Sequence, residues 1–123
     1  MSLQISIRES ADVVILDLRG RLTINDDAGE LLRSQLTELI ANGARKLLLN
    51  LADLTQIDSS GVSIIVKNYR SLRGQNGDLR LLRPSGHALE VFRALHILQM
   101  IPSFEEEQLA LMSYNPVGSL VKP

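Results

Sequence analysis

The residues best placed to do chemistry in this sequence stand in a row, Asp58-Ser59-Ser60-Gly61. Two hydroxyls beside a carboxylate can cap a helix, carry a phosphoryl group or supply a nucleophile. Capping needs a single side-chain oxygen, because it satisfies first-turn N–H groups that have no intrahelical partner. Three oxygen-bearing residues in succession exceed that need. A hydroxyl at a helix start is also suited to carry a phosphate, since helix N-termini favour negative charge. A nucleophilic serine would need His87 or His96, the two histidines of the chain. No Gly-x-Ser-x-Gly elbow surrounds Ser59 or Ser60, so a serine hydrolase is the remote alternative. Gly61 lets backbone or a partner approach closely. Two distant histidines with scattered carboxylates and no cysteine do not make a metal site. Gly74-Gln75-Asn76-Gly77 is a turn, not a phosphate loop with its lysine, and no cofactor is expected.

The flanking residues say what must position this group. Lys46-Leu47-Leu48-Leu49-Asn50-Leu51 is too apolar for a half-exposed strand and too short for an independent helix. It reads as a strand buried on both faces. Val62, Ile65, Val66, Tyr69 and Leu72 then fall at helical spacing on one face. Asp58, Ser59 and Ser60 thus lie where a loop, after the strand 46–51, leaves the sheet and opens a helix over about 60–73, with Ser60 as its cap. The carboxyl end of a strand in an open α/β sheet is a usual place for sites.

The rest of the chain supplies the layers. Leu3, Ile5 and Ile7 alternate with polar residues, and 13–18 form a second strand, continued at 21–23, so the two make an antiparallel hairpin. Asn25, Asp26 and Asp27 are cap candidates for a helix to about residue 41, with Ala28, Leu32, Leu36, Leu39 and Ile40 inward. A strand at 78–82 follows, then a helix near 87–95 with Ala88, Leu89, Phe92 and Leu95 inward. Ile101 and Phe104 mark a last strand, and Glu105-Glu106-Glu107 opens a closing helix carrying Leu109 and Leu111. This order predicts an α/β fold: a small mixed β-sheet with an N-terminal antiparallel hairpin and helices packed mainly on one face. One domain over residues 1–112 is expected, with 113–123 a loose tail.

Composition sets outer limits. A net charge of -1 argues against a nucleic-acid surface. The absence of cysteine permits a cytoplasmic location, and no apolar run approaches the roughly 18 residues of a membrane span. The opening Met1-Ser2-Leu3-Gln4 carries no signal-peptide pattern.

Taken together, Leu18-Arg19-Gly20-Arg21-Leu22, the strand 47–54, Ile57-Asp58-Ser59-Ser60-Gly61, the turn and strand 74–81, and Phe92-Arg93-Ala94-Leu95 resemble the STAS family. The likeness is to its freestanding bacterial anti-sigma factor antagonists. What the resemblance implies is a switch protein, not an enzyme. Its partner would be an anti-sigma factor that is also a serine kinase of histidine-kinase-like ATPase fold, docked around Asp58, Ser59, Ser60, Gly61 and Thr23. Docking would free a sigma factor. Phosphorylation of Ser59 would release the partner, and a PP2C-type phosphatase would restore it. Thr23 stands where the family often has Asp, and Ser63 where it commonly has a second Gly. The alternative implied by the same family is a STAS scaffold subunit of a stressosome-like or lipid-transport assembly. In the residues alone, the physical reading is that a phosphate adds about -1.5 to -2 charges at a contact rim and would rest at the helix N-terminus.

Overall fold

In the computed structural model, residues 3–24 and 27–114 are described. Strands β1 (Leu3–Ser10), β2 (Val13–Leu22), β3 (Lys46–Ile57), β4 (Asp78–Leu82) and β5 (Ser103–Phe104) lie side by side in chain order. β1 and β2 are the antiparallel hairpin, and every later neighbour is parallel. Helices α1 (Ala28–Ala41), α2 (Ser59–Arg73) and α3 (Gly86–Ala94) make the parallel connections, and α4 (Glu107–Ser113) closes the chain.

The apolar periodicity decides which face each element covers. Leu47, Leu49, Leu51, Leu79 and Leu81 point to one side, where they meet Leu32, Leu36, Val62, Ile65, Leu72, Ala88 and Phe92 of α1, α2 and α3. Val13, Ile15, Leu48 and Leu82 point to the other, under Ala110 and Leu111 of α4. β3 is therefore buried on both faces, as its run of leucines requires, and the helices lie mainly on one face. No helix among the described residues is long and apolar enough to cross a membrane.

Some expectations need correction. β3 continues through Leu54, Thr55 and Gln56 to Ile57, because β2 follows it with two register shifts and keeps pairing out to Leu22↔Ile57. Leu95 is exposed: α3 stops at Ala94, and Ile97 of the following 3-10 turn takes the inward place. Leu109 is exposed as well, since only Ala110 and Leu111 face the sheet from so short a helix. Asp27 precedes α1 without a side-chain cap bond, and Asn25 and Asp26 fall outside the described residues. Ser113 ends α4, and Tyr114 beyond it donates its hydroxyl to the Leu47 carbonyl and lies under the Arg80 guanidinium at 4.9 Å. These two belong to the folded body rather than to a tail. Burial pushes the Tyr114 phenol pKa up. Residues 115–123 lie outside the described residues.

On the open side of the sheet, Arg8 clamps Asp17 at 2.7 Å and Glu107 at 2.7 Å, joining β1, β2 and α4. Arg8 holds both carboxyls below the usual carboxylate range; a bond from Asn50 adds to this at Asp17. Groups with depressed folded pKa stabilise above their unfolded pKa and lose that contribution as pH falls through the folded value. We expect Arg8→Ala to cost about 1 kcal/mol at neutral pH, little more because the pair is partly exposed. It should also flatten the loss of stability between about pH 5 and pH 2. Urea melts at neutral and acid pH check this, and an unchanged acid limb would refute it.

Candidate functional site

The Leu22↔Ile57 pair is the last of the β2–β3 ladder, so residues 23 and 58 leave the sheet side by side. The Asp58 amide still donates to the Leu22 carbonyl at 3.3 Å. Asp58 then adopts an extended conformation (φ -122°, ψ -176°), which makes it the N-cap of α2 and puts Ser59 and Ser60 inside the first turn. Its Oδ1 accepts from the amides of Ser60 (3.0 Å) and Gly61 (3.2 Å) and from the Ser60 hydroxyl (2.6 Å). Its Oδ2 accepts from the Ile24 amide at 2.8 Å, across 34 residues of sequence. The cap is therefore Asp58, not Ser60. Sequence composition cannot choose between them, because either side chain can cap; the extended backbone at position 58 chooses.

Burial pulls the Asp58 pKa upward, but the bonds from the Ser60 hydroxyl and from the Ile24, Gly61 and Ser60 amides outweigh it. The carboxyl is held below its ordinary range, so it is an anion at neutral pH. This anion already accepts from the Ser60 and Gly61 amides at the start of α2.

The two serines are thereby sorted. Ser60 is half-buried and its hydroxyl is committed to Asp58. Ser59 is exposed, and among the described residues its hydroxyl has no hydrogen-bond partner. Thr23 is half-buried at the same rim, one residue beyond the β2–β3 ladder. His87 reaches this end of the sheet from α3, but its Nε2 lies 3.2 Å from the Ile57 carbonyl rather than against either serine hydroxyl. A serine–histidine nucleophile pair is not assembled there.

Gly61 is buried, and the approach it permits is by the chain itself. A Cβ there would lie 2.8 Å from the Leu22 carbonyl oxygen and 2.7 Å from the Leu22 side chain. Gly61→Ala should therefore cost about 1–3 kcal/mol by overpacking. Thermal melts check this, and a variant as stable as the parent would show that α2 can shift without penalty. Ile24 is the rim residue the sequence reading missed. Its only sequence signal is that it continues the Leu22 alternation one step past the end of the strand.

Residues 4–110 match the STAS domain family. The chain belongs to that family. The anti-sigma F factor antagonist of Paenibacillus polymyxa is 27% identical over 121 residues, 96% of this chain and 100% of its relative. The crystal structure of an anti-sigma factor antagonist from Mycobacterium paratuberculosis superposes with a TM-score of 0.82 at 15% identity, covering 94% of this STAS chain and 96% of that one. The Bacillus cell fate determinant SpoIIAA in its phosphorylated form is 27% identical with a TM-score of 0.66, covering 87% and 95% of the two chains. The strand order and the antiparallel hairpin described above are thus those of a STAS domain.

Proposed function

We propose that this STAS chain is an anti-sigma factor antagonist. It docks an anti-sigma factor on the rim formed by Thr23, Asp58 and Ser59, so that a sigma factor is released. The observation that carries this reading is the division of labour between adjacent serines: Ser60 is spent on the cap, whereas the exposed Ser59 hydroxyl has no hydrogen-bond partner among the described residues. Ser60 and Gly61 contribute by holding the first turn of α2, one through the cap and one through close packing on Leu22. The antagonist names carried by full-length relatives support the partner class.

In this reading the anti-sigma factor is also the serine kinase that phosphorylates Ser59, and a PP2C-type phosphatase reverses the modification in the cytoplasm. The rim suits such a switch because the fold does not depend on the Ser59 hydroxyl. A phosphoryl group would add charge beside the Asp58 anion without breaking a bond that holds the domain together. The test is incubation with ATP and the cognate kinase-type anti-sigma factor, followed by mass spectrometry of the peptide spanning 58–67. We expect one phosphoryl group, placed on Ser59 and absent from Ser59→Ala. An unmodified peptide, or a phosphate on Ser60, overturns the switch.

A further inference from the structure

Ile24 is the most exposed large hydrophobic side chain among the described residues, at 73%. Single exposed aliphatic residues are ordinary on a protein surface, and exposure alone assigns nothing. Ile7, Leu95, Met100, Leu109 and Met112 are also exposed, but they belong to β1, the end of α3, the end of the 3-10 turn and α4. Ile24 differs in where it stands and how it is held. It follows Thr23 at the rim, and its amide is fixed by the same carboxylate that begins the helix carrying Ser59. A β-branched side chain has few rotamers to lose, and here its backbone is already tethered. An apolar group so preorganised costs little to order on docking, and a few side chains seated in a partner's pockets carry most of the affinity of an interface.

We propose that Ile24 is the apolar anchor that seats the anti-sigma factor, and that Asp58 is the positioning residue that holds Ile24 beside Ser59. The inference rests on the antagonist reading above. The partner it fits is a protein surface with an aliphatic socket next to a polar seat for the Ser59 hydroxyl. Asp58 can act through Ile24 because its two oxygens are divided: Oδ1 serves the helix and Oδ2 serves the β2–α1 connection. Asp58→Asn separates these jobs. The amide oxygen can keep capping α2, as Asn caps well, while the NH2 group meets the Ile24 amide as donor against donor.

The experiment titrates the full chain with its cognate kinase-type anti-sigma factor, using wild type, Ile24→Ala, Asp58→Asn and the double variant. Ile24→Ala should weaken binding roughly tenfold, as expected for a buried aliphatic anchor. Asp58→Asn should weaken it about as much and speed hydrogen exchange of the Ile24 amide. The double variant should be little weaker than either single one, because both remove the same seated side chain. Affinity within about twofold of wild type for Ile24→Ala overturns the anchor. Additive losses, or an Ile24 amide that exchanges no faster in Asp58→Asn, overturn the positioning role. A change in self-association with unchanged kinase affinity assigns Ile24 to a second copy and overturns the proposal. If wild type itself fails to bind, the antagonist reading falls; if only the Ile24 effects are missing, that reading stands without the anchor.

Discussion

Ser59→Asp is expected to lower affinity for the anti-sigma factor by about a hundredfold, while Ser59→Ala stays within a few-fold of wild type. The magnitude follows from the contact rim. An unpaired charge forced into an interface costs on the order of 2–5 kcal/mol, and each 1.4 kcal/mol or so is tenfold in affinity. Asp58 is already an anion there and takes the Ser60 and Gly61 amides, so a second negative group beside it adds like charge at the rim. Neither variant should unfold the domain. The Ser59 hydroxyl makes no bond within the described residues, and at this exposed position the helix N-terminus offsets part of the repulsion from Asp58. Titration calorimetry alongside thermal melts separates the two effects. Tight binding by a folded Ser59→Asp variant would mean that charge at this hydroxyl does not control docking.

The parts of this molecule that were legible in sequence are those where one residue pattern has one physical reading. The leucine run at 47–49 could only be a strand covered on both sides, and it is. The stripe of Val62, Ile65 and Leu72 faces the sheet as its spacing requires. The errors arise where tertiary context overrides the pattern. Thr55 and Gln56 look like loop because they are polar, yet they extend β3 in its exposed final stretch, where the Thr55 hydroxyl donates to the Gly20 carbonyl. Leu95 looks like the last inward residue of α3, but the helix ends one residue earlier and the left-handed His96 redirects the chain. At the site, residue types located the oxygen cluster but not its wiring. Which oxygen caps, which serine is free and which distant amide is tethered depend on the φ and ψ of Asp58 and on the Leu22↔Ile57 register. Ile24 was invisible for the same reason: its place is defined by a bond to a residue 34 positions away.

Phe92→Ala should be the most damaging single change to the fold, at about 3–5 kcal/mol. Phe92 is fully buried and is the largest of the fully buried side chains. The core it belongs to is aliphatic, and Leu49, Leu51 and Ala88 of the same cluster are fixed to a sheet and a helix that cannot collapse far into the space. Removing the ring thus forfeits both the transfer free energy and the contacts around the void. Native domains are stable by only about 5–15 kcal/mol, so the variant should sit near the threshold of folding at 37 °C. The loss would also reach the docking rim. α3 begins beside the end of β3, where His87 meets the Ile57 carbonyl one residue before Asp58, so a loosened α3 frees the strand end that sets the cap. We therefore expect chemical denaturation to show the large loss, and hydrogen exchange in the variant to rise at Ile57 and Ser60 as well as within α3. A variant that loses less than about 1.5 kcal/mol would show that the pocket repacks, and exchange confined to α3 would show that the rim is held by β2 and β3 alone.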